Sequence, residues 1–524
     1  MKSKRKKLIL NALLLTLSTM SFGIVNMIFR VYLSNKIGTE GMGLFQLITS
    51  ISIVANTLAI SGIRVTMTRL VAEELGKNNY GKIKNLVKKG ILYSLFFGII
   101  ASIFLFNLSE FISNSWINDS RAIIPLKILA LSLPFVSVSC CFAGYFYGMR
   151  DVMKSISADI IEIGTMMFIV YLFIGKFAPM GLEYTCSLIS VGMSVGLMLS
   201  AVYSYILYLF DKKLSSAQSS SNNKCSVFNI GFIAFPIACS AYVQTSLRTA
   251  EDILIPNALR QYGASSASSL SSFGMIKGMV MPILNFPSIF LASFSTLIIP
   301  EISESSALHK NKMVNYIISK VFKFTLLISF FASGIFIFFS NELGMSIYNN
   351  KEVGYIMRIL APLIPFMYLD RIVDGSLNAL NQQVYTLKYN IMDMILRIII
   401  ILGIIPKTGV DGFILVLFVS TIFNASLSIN RLLKVTKLEF ELIDWVFKPI
   451  ICISLASYLS KYICAITGLS NSIYALITLA SILYILSLFI IGCIKKKDIS
   501  WFTDAFKNDL RHIDVNSIEL YKRI

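Results

Sequence analysis

Charge is scarce in this chain: 14% of its 524 residues are Asp, Glu, Lys or Arg, against roughly 25% in an ordinary soluble domain. Histidine is nearly absent. The two present, His309 and His512, do not make a catalytic or metal-ligating cluster. The sequence contains no P-loop, and none of its eight cysteines sits in a C-x-x-C pair. Those cysteines fall mostly within apolar runs and read as small packing residues rather than a disulfide framework. No outer connection is long enough to form a catalytic domain. These absences argue against an enzyme and call for neither metal nor cofactor.

Apolar residues are what the chain has in abundance. They make up 56% of the sequence, and mean hydropathy is +0.73. Between residues 8 and 494, fourteen apolar runs can be placed, each near the roughly 20 residues a helix needs to cross a bilayer core. The expected fold class is therefore all-α integral membrane with fourteen transmembrane helices. The first run is too long for a signal-peptide core and has no small-residue cleavage site, so it reads as a true span.

Orientation follows from the basic residues. With the Lys2/Lys4/Arg5/Lys6/Lys7 terminus inside, 29 of the 47 Lys and Arg fall in inner segments and 7 in outer ones. Both termini are thus expected in the cytoplasm. The net charge of +19 is then topology plus attraction to anionic membrane lipids. No basic stretch is paired with a soluble domain, which leaves nucleic acid without a binding platform.

The apolar runs come in two matching sets. Lys127-Ile-Leu-Ala-Leu-Ser-Leu-Pro134-Phe135 reappears 231 residues later as Arg358-Ile-Leu-Ala-Pro-Leu-Ile-Pro365-Phe366. The same shift carries Gly144 onto Gly375, and Asp159 and Glu162 onto Asn390 and Asp393; nearer the N-terminus the offset is expected to change. A polar, Ser-rich stretch separates the sets and has the composition of a flexible linker. The expected division is an N-lobe at 1–210, a cytoplasmic linker at 211–225 and a C-lobe at 226–435. Two further spans occupy 436–494, and a cytoplasmic amphipathic tail runs over 495–524. Six spans per lobe is an even number, so the repeat is parallel with its pseudo-twofold along the membrane normal, the plan of a two-lobed transporter. The serine-rich Ala264–Ser272 is expected to be a mobile outer hinge.

Several segments also carry a family likeness. Ser34-Asn-Lys-Ile-Gly-Thr-Glu-Gly-Met-Gly-Leu-Phe-Gln46, Thr68-Arg-Leu-Val-Ala-Glu-Glu74, Asp252-Ile-Leu-Ile-Pro-Asn-Ala-Leu259, Gly278-Met-Val-Met-Pro282 and Leu297-Ile-Ile-Pro-Glu-Ile-Ser-Glu304 resemble the stage V sporulation protein B branch of the polysaccharide exporters. That branch shares a superfamily with the lipid II flippases and the multidrug and toxin extruders. The resemblance covers nearly the whole chain. It implies a monomeric alternating-access flippase of the cell membrane that moves an undecaprenyl-linked saccharide or peptidoglycan precursor to the outer leaflet. Cell-wall or spore-envelope assembly would be the process served.

Such a cargo carries a pyrophosphate, which needs fixed positive groups in a wet path across the bilayer. The candidates are Arg30, Arg64, Arg248 with its neighbour Asp252, and Lys277. Lipid II flippases carry arginines in the first, second and eighth helices; Arg30 and Arg64 neighbour the corresponding positions, and Lys277 stands where that branch has Arg. Lys277 has no acid within one turn and is expected to be unpaired, whereas Arg248 lies one turn from Glu251 and Asp252. For coupling to a proton, sodium or the membrane potential, the candidates are Glu162, Asp159 and Asp374. Asp393 and Arg397 have the i,i+4 spacing of a structural pair. The alternatives are an ion-coupled multidrug exporter of the same superfamily and a non-transporting membrane scaffold.

Overall fold

The computed structural model describes residues 2–211, 227–436, 440–468 and 472–494. Most of the linker and the whole tail at 495–524 lie outside the described residues, as do the boundaries and amphipathic helix expected there. Helices make up nearly all of what is described, and no strand occurs among the described residues. Eleven helical stretches there are long and apolar enough to cross a membrane. One of them, Leu14–Gly76, contains more than one limb.

Its first part is α1 (Lys2–Ile60), interrupted at Gly38, where φ is 69°. A second break at Ser61 (φ 43°) and Gly62 (φ 73°) turns the chain into α2 (Ile63–Gly76). Positive φ is costly for residues with a Cβ, so these two positions set where the long stretch can bend. Helices α3 (Tyr80–Phe111), α4 (Ile123–Gly148), α5 (Val152–Phe177) and α6 (Leu182–Leu209) follow. Next come α7 (Val227–Gln261), α8 (Ser266–Phe273), a π-helical stretch Gly274–Val280 and α9 (Met281–Asn285).

The remaining helices are α10 (Ser288–Ala307), α11 (Asn311–Phe338), α12 (Ser340–Tyr348), α13 (Lys351–Leu360), α14 (Ile364–Ala379), α15 (Gln383–Thr408), α16 (Val410–Thr436), α17 (Lys448–Ile466) and α18 (Ile473–Ile490). The repeat is visible in their bounds. Val152–Phe177 and Gln383–Thr408 are the same helix displaced by 231 residues, and α4 and α14 end at positions related by that shift. Gly76 and Ala307 end α2 and α10, and Tyr80 and Asn311 begin α3 and α11, again 231 apart. The expected change of offset is therefore absent back to at least residue 76. Helix ends are fixed by caps and chain reversals, which survive where side-chain similarity has faded.

The described chain forms two compact units. The first holds the described residues of 2–22, 28–278 and 398–412. Its core gathers Ile63, Met67 and Val71 from α2, Ile83, Val87 and Tyr93 from α3, and Phe142, Tyr145 and Phe146 from α4. The Tyr145 hydroxyl donates to Asp211 over 3.0 Å and so fastens the end of α6. The second holds Gly23–Met27, Met279–Arg397 and the described residues of 413–494. There α17 and α18 are fixed to α11 by Leu327, Cys452, Ile453, Tyr484 and Leu488. The Tyr484 hydroxyl donates to the Leu327 carbonyl over 2.9 Å.

Most of Ala264–Ser272, the segment expected to be a mobile outer hinge, is helical. Ser265 caps α8 by accepting from the Ser268 amide over 3.1 Å, and Ser269 and Leu270 are buried. Serine is a strong N-cap as well as a loop former, and here the cap wins because Leu270 gains a packing site.

Candidate functional site

Lys277 is not unpaired. It projects from the π-helical stretch between α8 and α9, and its Nζ lies 2.7 Å from Glu251 Oε1 and 3.2 Å from Asp252 Oδ1, both on α7. Ser50 of α1 donates to Asp252 Oδ2 over 2.6 Å, and Thr249 donates to the Ser50 carbonyl over 2.9 Å. Glu251 is buried and the Lys277 side chain is only 18% exposed. One ammonium thus faces two carboxylates, and the group has no surplus positive charge to offer a phosphate. The pair is not visible within one helical turn of Lys277, because Glu251 is 26 residues away and on another helix. The π-geometry matters: a single-turn bulge of this kind shifts the direction of a side chain relative to the regular spiral, and such bulges collect at functional sites.

The same geometry bears on Arg248. The acids one turn from it, Glu251 and Asp252, turn to Lys277, and Arg248 is exposed with no ion pair among the described residues. Arg30 is half-buried on α1.

Arg64 begins α2, just after the Ser61–Gly62 break, and is exposed. Its guanidinium lies 5.1 Å from the Tyr147 ring centroid, and Nη2 donates to the Tyr147 hydroxyl over 3.2 Å. No carboxylate lies within salt-bridge distance of it among the described residues. Asp159 and Glu162 on α5 are near enough that Arg64 and Asp159 interact electrostatically, as do Asp159 and Glu162. The structure therefore brings Arg64, Asp159 and Glu162 into one neighbourhood at the junction of α2, α4 and α5, and puts Lys277 and Asp252 in another.

A third polar group occupies the second unit. Asp393 is buried, paired with Arg397 over 2.9 Å as its spacing predicted, and accepts from Ser420 over 2.7 Å. Asn424 donates to Asp370 over 3.0 Å and to Asn390 over 3.2 Å, while Asn390 donates to Asp374 over 3.4 Å. Asp370 Oδ1 and Asn424 Oδ1 are buried without hydrogen-bond partners among the described residues. The sequence showed Asp374 and its neighbours; Asn424 and Ser420 carry no such signal, since a polar residue inside an apolar run declares itself only when it meets a partner on another helix.

The polysaccharide biosynthesis protein family matches residues 8–306. The chain belongs to that family. All the groups of the first unit, from Arg30 to Lys277, lie within the matched region. Among curated family relatives, the stage V sporulation protein B of Bacillus subtilis (strain 168) is 22% identical over 92% of this chain and 94% of its own length. The sporulation protein YkvU of the same organism is 21% identical over 66% of this chain and 75% of its own. In fold, the chain is similar to the lipid II flippase MurJ in an inward closed conformation, with TM-score 0.67 and 15% identity over 91% of this chain and 98% of the other. It is also similar to an inward-facing multidrug resistance transporter of the MATE family, with TM-score 0.63 and 10% identity over 81% of this chain and 100% of the other.

Proposed function

We propose that this protein is an alternating-access flippase that moves an undecaprenyl-linked saccharide or peptidoglycan precursor from the inner to the outer leaflet. It works as a monomer in the cell membrane, in cell-wall or spore-envelope assembly. The proposal includes fourteen spans, two six-span lobes in parallel repeat, and both termini in the cytoplasm. The observation that carries it is Arg64, an exposed cation on α2 that is held by Tyr147 and not neutralised by a salt bridge. A guanidinium in that state retains its bidentate fork for phosphate. The lipid II flippase named among the fold neighbours supports the cargo class, and the end-to-end relation to a sporulation protein supports the setting.

In this reading Arg64, Arg248 and Arg30 meet the pyrophosphate. Lys277 and Asp252 belong to the same path but act as a paired unit. Asp159 and Glu162 beside Arg64 serve ion coupling with a proton or sodium, and Asp374 does so within the polar group of α14 to α16. The rival multidrug exporter would draw on the same carboxylates for organic cations, and the MATE-like fold favours it to that extent.

A transport assay in proteoliposomes with defined undecaprenyl-pyrophosphate saccharides separates the two. We expect flipping of the lipid-linked saccharide by the wild type and a loss of about ten-fold or more in Arg64→Ala, the order expected when a charge-assisted hydrogen bond worth roughly 1.5–3 kcal/mol is removed. Transport of a cationic dye with none of the lipid-linked saccharide would reverse the choice.

Topology is tested independently. A cysteine at Ser265, exposed at the cap of α8, should react with membrane-impermeant thiol reagents in intact cells. Cysteines at Ser219 and Lys497 should react only with permeant ones. Labelling of the Ser219 position from outside would invert the lobe plan.

A further inference from the structure

Lipid-facing helices are apolar everywhere, so exposed apolar side chains in this chain need no special account. One place is different because it is concave. Leu92, Tyr93, Phe96 and Phe97 of α3 and Gly231, Phe232, Phe235 and Pro236 of α7 line a cleft of about 820 Å³, within the roughly 300–1,000 Å³ of ordinary ligand sites. Phe96 and Phe97 stand edge to face at 5.4 Å, and Tyr93 lies 4.6 Å from Phe97. Gly231 lies in the wall opposite Tyr93: a Cβ there would sit 3.7 Å from the ring, in ordinary contact, so a larger side chain would extend into the cleft.

Helical spacing places two lysines at the rim. Lys88 precedes Leu92 and Phe96 by one and two turns, and Lys89 precedes Tyr93 and Phe97 in the same way, so both lie on the cleft face of α3. Neither forms an ion pair among the described residues, in contrast to Lys82 on the same helix, which is held by Glu74 at 2.8 Å. An apolar cleft of chain-like size under two uncompensated ammonium groups has the chemistry of one occupant. We propose that this cleft between α3 and α7 binds an anionic phospholipid, with an acyl chain along the aromatic wall and the phosphate at Lys88 and Lys89.

The cleft wall also reaches the bend between α1 and α2. The Tyr93 hydroxyl donates to the Ser61 carbonyl over 3.0 Å, and Tyr242 of α7 shares the Ser61 hydroxyl at 2.7 Å. Gly62 packs so closely on α7 that a Cβ would sit 2.6 Å from the Ala234 carbonyl. A bound acyl chain therefore rests against the ring whose hydroxyl fixes the break leading to Arg64. Lipid composition is coupled to that break through Tyr93, and the proposal stands whether or not the cargo reading above is right.

Quenching of a single tryptophan tests it in the full chain. Trp116, Trp445 and Trp501 are replaced by Phe, and Phe235→Trp supplies the reporter in the cleft. The protein is placed in phosphatidylcholine vesicles containing phosphatidylglycerol, with bromine on the acyl chains of one lipid or the other at equal total bromine. We expect several-fold stronger quenching from brominated phosphatidylglycerol than from brominated phosphatidylcholine. That preference should vanish in Lys88→Gln/Lys89→Gln and fall in Gly231→Phe. A control reporter, Phe168→Trp on the exposed side of α5, should show no preference, and an unchanged thermal unfolding midpoint certifies that each variant is folded. Equal quenching by the two lipids at the cleft reporter, or a preference that survives removal of both lysines, overturns the proposal. So does full displacement of brominated phosphatidylglycerol by added undecaprenyl phosphate, which would make an isoprenoid chain the occupant.

Discussion

Lys277→Met is expected to lower stability by about 3–5 kcal/mol, the cost of breaking a buried ion pair by removing one partner. The two carboxylates would then face each other without a counter-charge. Glu251 is buried and lies 2.7 Å from Lys277; Asp252 also accepts from Ser50. Glu251→Gln introduced with Lys277→Met should restore most of the loss, because the double variant removes one charge of each sign. Lys277→Arg should stay close to wild type in stability. Thermal unfolding of the purified protein and transport, read together, separate the roles: a stable double variant without flipping assigns the pair to transport, and an active one assigns it to packing. Wild-type stability of Lys277→Met would mean that the ammonium is not paired in the membrane.

The second large effect is expected at a contact of two glycines. Gly43 on α1 and Gly274 at the start of the π-helical stretch lie 231 positions apart, the period of the repeat. A Cβ on Gly43 would lie 2.0 Å from the Leu270 carbonyl, and one on Gly274 would lie 2.1 Å from the Thr39 carbonyl. Small residues at a helix crossing let backbones approach in this way, as in other membrane bundles. Beside them Thr39 and Ser271 share a hydrogen bond of 2.6 Å, and Arg121 ties Glu40 to Asp119 at 2.7 Å each.

Overpacking of such a site costs about 1–3 kcal/mol, and the backbone carbonyls on the other side have no rotamer to retreat into. Gly43→Ala and Gly274→Ala should each cut transport by roughly ten-fold or more at normal expression, since about 1.4 kcal/mol already changes an equilibrium ten-fold. A direct readout of the contact is the pair Thr39→Cys/Ser271→Cys. It should cross-link efficiently in the parent chain and poorly once Gly43→Ala is added. An unchanged cross-linking yield would show that the closed contact does not depend on the missing Cβ.

The class of this protein needed only the sequence. Runs of apolar residues near bilayer length, few charges, and the Lys/Arg imbalance are one-dimensional properties, because the hydrocarbon core acts on each helix as it enters. The repeat was legible for the same reason in the proline-containing stretch around Pro134 and Pro365. The i,i+4 pair Asp393–Arg397 was legible because both members share one helix.

What the tertiary structure decided is which polar groups meet across helices. Lys277 read as unpaired in the sequence and meets two carboxylates, because its acids come from α7, 26 and 25 residues away. Arg248 had two acids within one turn as possible partners and is exposed without an ion pair among the described residues, because those acids meet Lys277. Asn424, Ser420 and Ser50 gave no signal at all until a carboxylate on another helix came within hydrogen-bond distance. In a bilayer every intramembrane charge must find a partner, water or a ligand. The sequence states that demand, and only the packing of the helices assigns the partner.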